Sequence, residues 1–375
     1  MPDYCDDWRR ELVMLKRVIF LILLINFLVV LNVSAKDKSL DVSDEFLGPQ
    51  NQFNTPFCQS FAMIGLLEHY WYKKTKTHMK FSEKYMVKSI LLTLVERLWI
   101  EEEQRFDTSP FQEIHVGNLG ISVILEAVMK YGVVPDSAYP SVIKFDDNEI
   151  FNLDMDKYND LKDVTFEEFN ESGKTLSDVK LTIEHIFNSP QSFSVAENYF
   201  SYLDFSNHTI RLTSPIQILD FIEFKSSDFQ VVFNQDGFIP GREIFSMENY
   251  DYWKNHETYW DGNFAESHAT EMISNIEKAI DLGIPVIFWN KWQKLINGRL
   301  SDTGGHLTSI VGYQKTPDGE TWYRVKNSGG VNADRIERLI DGTTSPLIRE
   351  KGYSYFEKDT LKTLLIAIII PSIFL

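Results

Sequence analysis

The sequence predicts an α+β fold, with the helices lying before residue 284 and the strands gathered after it. Two observations predict it. Apolar residues recur at helical spacing over 58–73, 81–104 and 119–131, whereas the apolar runs near the C-terminus are short, β-branched or aromatic, and bounded by turn residues. Residues 36–50 are polar and short and read as a linker. In 58–73 (CQSFAMIGLLEHYWYK), Phe61, Ile64, Leu67 and Trp71 recur at helical spacing. Lys73, Lys74 and Lys76 follow where a helix C-terminus favours cations. In 81–104 the face is Met86, Ile90, Leu91, Leu94 and Leu98. The third helix, 119–131, is ended by Gly132 and Pro135. Residues 145–265 are acidic and aromatic, with Asn- and Asp-rich breaks, and helices are expected there at 175–187 and 216–224. From 266 onward EMISNIEKAIDLG is a helix ended by Gly283, and IPVIFW is a buried strand. HLTSIVGYQK and ETWYRVKNS are strands joined by the turn Thr316-Pro317-Asp318-Gly319. The closing LLIAIIIPSIFL reads as a buried strand that Pro371 ends. There is no internal repeat or low-complexity tract.

Hydrophobic residues make up 43% and charged residues 24%, the balance of a folded globular chain. The net charge of −17 argues against nucleic-acid binding, which needs clustered Lys and Arg against phosphate. At the N-terminus, Arg9, Arg10, Lys16 and Arg17 precede the uncharged run VIFLILLINFLVVLNVSA. The run ends in the small-residue pattern Val33-Ser34-Ala35, and polar residues follow. This predicts a secretory signal peptide over 1–35 and a mature domain over 36–375, hence a secreted or periplasmic protein. An uncleaved segment would be its one route to a membrane.

Export sharpens the meaning of the cysteines. Of Cys5 and Cys58, the first lies in the leader, so the mature chain keeps one thiol and no internal disulfide. A lone thiol in an oxidising compartment is a liability unless buried or used. A buried inert cysteine is the plain reading and a nucleophile the sharper one.

A cysteine nucleophile needs a depressed pKa, a base, and donors for the developing oxyanion. Cys58 opens the first helix, where unpaired N–H groups and the helix dipole favour a thiolate. Gln52, six residues earlier, is a candidate side-chain donor to an oxyanion, and the Cys58 N–H is another. His306 follows Gly304 and Gly305 at the start of a strand. Asn327 ends the next strand, so antiparallel pairing would bring its amide oxygen to the imidazole. Singly these are weak signals, since a Gln is usually solvated, a His structural, and an Asn before Ser-Gly-Gly a turn residue. The order Gln, Cys, His, Asn is much stronger. The other histidines, His69, His78, His115, His185, His208, His256 and His268, lack metal-ligand spacing, and no cofactor or metal is expected. Asn170 and Asn207 match the glycosylation pattern, which is common by chance. Trp253, Trp260, Trp289 and Trp292 read as core packing, with a carbohydrate- or peptide-contacting platform as the sharper alternative.

QNQFNTPFCQSFA resembles the active-site segment of the papain family of cysteine peptidases, GGHLTSIVGY its histidine strand, and KNSGG its Asn-Ser-Trp-Gly segment. YGVVPDSAYP, EKAIDLGIPVIF and GYSYFEKDTL resemble non-catalytic stretches of the same family, so the likeness covers 50–143 and 270–360. The long gap between Cys58 and His306 is similar to the bacterial and bleomycin-hydrolase-like branches. The resemblance implies a papain-like two-lobed fold, with a helical lobe carrying Cys58, an antiparallel β-barrel-like lobe carrying His306 and Asn327, and an insertion over about 145–265. It implies peptide-bond hydrolysis through a thioester, with Cys58 as nucleophile, His306 as base and then acid, Asn327 as its orienter, and Gln52 as oxyanion donor. The partner would be a peptide or protein substrate.

Three features depart from the family. Gln59 stands where the family has Trp after the nucleophile. Gly329 stands where it has Trp after Asn-Ser. Segment 145–265 has no counterpart. The two missing tryptophans motivate a rival reading, a catalytically weakened papain-fold module that binds peptide or protein. A transferase or amidase with the same Cys–His chemistry is a third. The family's usual N-terminal propeptide has no room between the leader and Gln50, and insertion 145–265 is a candidate cover for the cleft.

Overall fold

The computed structural model describes residues 39–53, 55–107, 121–145, 148–187, 203–205, 208–210, 212, 214–233, 266–296, 299–316, 319–328, 348–350 and 353–374. The leader and its cleavage site, Cys5, Asn207, His115, His256, Trp253, Trp260, Gly329, and Pro317 and Asp318 of the expected turn lie outside them.

Numbered in chain order, the helices are α1 (Cys58–Thr75), α2 (Glu83–Arg97), α3 (Ile121–Tyr131), α4 (Met155–Lys162), α5 (Phe166–Glu171), α6 (Leu176–Phe187), α7 (Pro215–Phe221), α8 (Glu266–Asp281) and α9 (Lys358–Leu364). Local chemistry sets their ends. Ser82 Oγ accepts from the Tyr85 N–H to start α2, Asp154 caps α4, and Thr165 with Glu168 forms a capping box on α5. Pro215 stands in the first turn of α7, where its missing N–H costs nothing. Gly132 ends α3 at φ +70, and a Cβ there would lie 2.3 Å from the Pro215 carbonyl carbon, so only glycine lets α7 close on α3.

The strands are β1 (Ser39–Asp41), β2 (Trp99–Ile100), β3 (Arg105–Phe106), β4 (Val142–Phe145), β5 (Asn148–Phe151), β6 (Leu203–Phe205), β7 (His208–Ile210), β8 (Phe229–Phe233), β9 (Val286–Ile296), β10 (Arg299–Lys315), β11 (Thr321–Lys326), β12 (Ile348–Glu350), β13 (Tyr353–Glu357) and β14 (Leu365–Pro371). One antiparallel sheet runs β12-β13-β11-β10-β9-β14-β8, and β1 also pairs with β10. Along β14 the side chains alternate between two cores. Ala367 and Ile369 join the helical core, while Ile368 and Ile370 join a second core with Met272, Ile273 and Ile276 of α8. A strand buried on both faces needs a continuous apolar run, and that is why LIAIIIP carries no polar residue.

The structure departs from expectation in three places. The second helix stops at Arg97, and Trp99–Ile100 pairs with Arg105–Phe106 as a short hairpin. Three successive glutamates suit its exposed turn better than a helix face, and Gln104 there has φ +51. Residues 39–46 are a fastened strap and not a linker. β1 pairs with β10, Asp41 and Ser43 bond Arg324, and the Phe46 ring stacks on His69 of α1 at 5.1 Å. The described part of 145–265 is built into the body. Tyr158, Phe166, Ile183 and Phe187 share the core of α1 to α3, and β8 extends the main sheet.

Candidate active site

Cys58 is the first residue of α1, and Phe57 before it caps the helix without a side-chain hydrogen bond. The Ser60 N–H donates to the Phe57 carbonyl at 2.9 Å, and the Gln59 N–H reaches the Cys58 sulfur. Phe57 is fully buried between Phe151 and Tyr158, with ring centroids 5.2 and 4.8 Å away. Residues of the insertion thus anchor the end of the helix that carries the thiol. Asn51 Oδ1 accepts from the Phe53 N–H, and Phe53 takes the left-handed conformation at φ +55, which turns the chain sharply toward α1.

β10 brings the other half. Its register with β9 shifts between Asp302 and Gly305, and His306 follows that irregularity, opposite Asn290. A bulge beside a cleft re-aims the side chain that follows it. β10 pairs with β11 so that Ser309 faces Lys326, which leaves Asn327 just past the strand end and beside His306. His306 Nε2 lies 2.8 Å from Asn327 Oδ1. An amide oxygen only accepts, so Nε2 carries the proton and Nδ1 is left basic. The Cys58 and His306 side chains are hydrogen-bonded, and the Leu307 N–H donates to Sγ at 3.5 Å.

These contacts act on a thiol only 8% exposed. Burial pushes its pKa up, but the hydrogen bond and charge interaction with His306, then the Leu307 and Gln59 N–H groups, bring it below the ordinary thiol value. The arrangement can hold a thiolate beside an imidazolium and can return the proton to a leaving group.

Gln52 sits in the loop before α1. Its Nε2 donates to the Thr55 carbonyl at 2.9 Å, its Oε1 accepts from the Ser328 hydroxyl, and its backbone N–H donates to the Ser328 carbonyl. It ties the segment before Cys58 to the segment after Asn327. Cys58, His306 and Asn327 form one connected group, and Gln52 joins it through Ser328.

Sequence reasoning missed three further residues at the site. The Cys58 thiol donates to Gln59 Oε1 at 3.4 Å, although Gln59 is first noticed only as a missing tryptophan. Beside Asn327, Lys326 pairs with Glu68 of α1 across 3.7 Å, with both side chains buried. Burial pushes the Glu68 carboxyl up to about 7 against the pull of Lys326, and burial pushes the Lys326 ammonium down. Gly65 leaves the room for that ammonium, since a Cβ there would stand 3.3 Å from Nζ. The Lys326 ammonium also lies 5.1 Å from the centre of the Phe46 ring, so the strap covers the pair. Among the described residues no group of His, Cys, Asp and Glu is arranged to hold a metal ion, and no helix is long and apolar enough to cross a membrane.

No model of a known protein family matches the sequence, and no curated protein matches it. Solved structures do. PepW from Lactobacillus rhamnosis is similar with a TM-score of 0.56 and 12% identity, over 90% of this chain and 82% of that one. Xylellain, a cysteine protease from Xylella fastidiosa, has a TM-score of 0.40 at 12% identity, over 89% and 85% of the two chains. The bromelain protease from Ananas comosus has a TM-score of 0.36 at 14% identity, over 89% and 98%. The chain has the papain-like fold, a helical lobe and an antiparallel β lobe with the Cys58–His306–Asn327 group between them.

Proposed function

We propose that the protein is an exported cysteine peptidase of the papain type, close in its long Cys–His spacing to the bacterial and bleomycin-hydrolase-like branch. The observation that carries the reading is the junction at the site. A thiol at a helix start meets an imidazole whose tautomer Asn327 holds from 2.8 Å, and the thiol's pKa is lowered despite burial. The papain-like fold, shared with PepW, supports it at the level of the scaffold. Cys58 is the nucleophile. His306 takes its proton and returns it to the leaving amine. Asn327 orients the imidazole, and the Cys58 N–H with the free N–H of the Gln52 amide serves the oxyanion. The thiolate attacks the peptide carbonyl, the amine leaves, and water activated by His306 hydrolyses the thioester. Peptides or proteins are the substrates, and the leader-like pattern over 1–35 supports a location outside the cytoplasm.

Alkylation of the protein by iodoacetamide across pH tests this. Cys58 is expected to react quickly well below the ordinary thiol pKa of about 8.5, and His306→Ala is expected to abolish that acidic-side reactivity. Slow alkylation confined to alkaline pH and indifferent to His306 would sink the peptidase and favour a binding module on the same scaffold.

A further inference from the structure

One departure from the papain pattern touches the reacting atom. Gln59 is 4% exposed, and its Oε1 accepts from the Cys58 thiol at 3.4 Å while its backbone N–H also reaches the sulfur. Two acceptors, His306 and the Gln59 amide oxygen, therefore share one S–H. An amide oxygen suits the neutral thiol and opposes the thiolate, because the negative end of its dipole then faces a negative sulfur. The terminal torsion of a glutamine is broad and two-fold, so the amide can turn over in place and present its NH2 group. The bond broken by turning is S–H···O, which ionisation of the thiol removes in any case.

We propose that Gln59 is a catalytic residue whose side-chain amide accepts from the resting thiol and then turns over to donate to the oxyanion formed on the attacked carbonyl. The proposal rests on the cysteine-peptidase reading above. In the step concerned, Sγ forms a bond to the acyl carbon, the π pair of the carbonyl moves onto oxygen, and the thiol proton goes to His306. Collapse returns the pair and expels the leaving group. Gln52 is held at both ends of its amide by Thr55 and Ser328, which leaves it one N–H for this oxyanion. Gln59 adds a donor from the helix side.

Two reagents separate donation from mere thiol reactivity. Iodoacetamide reacts by displacement at a saturated carbon and develops no oxyanion, whereas p-nitrophenyl acetate acylates through one. Both rates are measured across pH on the full chain for wild type, Gln59→Met and Gln59→Glu. The ratio of acylation to alkylation is expected to fall about 100-fold in both variants, the usual loss for one oxyanion donor. Gln59→Glu keeps the shape and the acceptor and cannot donate on the alkaline side of the profile, where its carboxyl is ionised. An unchanged ratio in both variants overturns the proposal. So does a fall in Gln59→Met alone, which would assign the effect to packing. If wild-type alkylation is itself slow and indifferent to His306→Ala, the peptidase reading fails and takes this one with it.

Discussion

At the scale of the residue, Asn327 has the most to say about how the imidazole works. Its Oδ1 fixes the proton on Nε2 of His306 from 2.8 Å and leaves Nδ1 for the thiol. Asn327→Ala should leave Cys58 in place but free the ring to rotate. Alkylation below the ordinary thiol pKa is expected to slow by roughly 10- to 100-fold, a part of what a positioned base supplies, and its acidic limb should move upward. A structural defect alone would lower the rate without moving the limb. Cys58, His306 and Asn327 were legible because each has one conspicuous local cue: a lone thiol before a helical run, a histidine after two glycines, an asparagine at a strand end. Glu68 and Lys326 were not. A carboxylate on a helix and a lysine in the run WYRVK read as solvated, and only docking of the lobes puts the two heads together.

At the scale of the element, that ion pair couples α1 to the end of β11, one residue from Asn327. Removing one member leaves a buried charge unmatched, whereas removing both leaves an apolar contact. Lys326→Met is expected to destabilise by about 3 kcal/mol or more, read as the shift in urea midpoint. The double variant Glu68→Leu with Lys326→Met should recover much of it. Additive losses in this cycle would show that the two side chains do not act as a pair. The helix and strand patterns were legible where their periods were unbroken. The run after Arg97 was misread because Leu98 continues the helical face, while the hairpin beyond it depends on Trp99 packing against Phe106 at 5.0 Å. The strap was misread because a polar sequence says nothing of a partner strand far along the chain.

At the scale of the whole molecule, the two cores share β14, and the described part of 145–265 lies mostly in the first of them, with Val232 of β8 in the second. Deleting 150–260 would take Tyr158, Phe166, Ile183 and β8 away from Phe57 and β14. The expected outcome is a chain without a cooperative thermal transition, followed by circular dichroism. A folded, soluble deletion variant would show that the segment is an accessory after all. Composition could not reveal this, because the acidic, Asn- and Asp-rich breaks of the insertion divide its core residues into short groups such as Ile186–Phe187 and Ile218–Leu219.

The Leu307 N–H and the Cys58 sulfur are separated by 249 positions in the chain. During synthesis at roughly 5–20 residues per second, the thiol emerges some tens of seconds before its base. Until β10 has been made and docked on α1, Cys58 has no imidazole to take its proton and behaves as an ordinary thiol. Order along the gene thus separates the emergence of the thiol from that of the imidazole it meets in the folded protein.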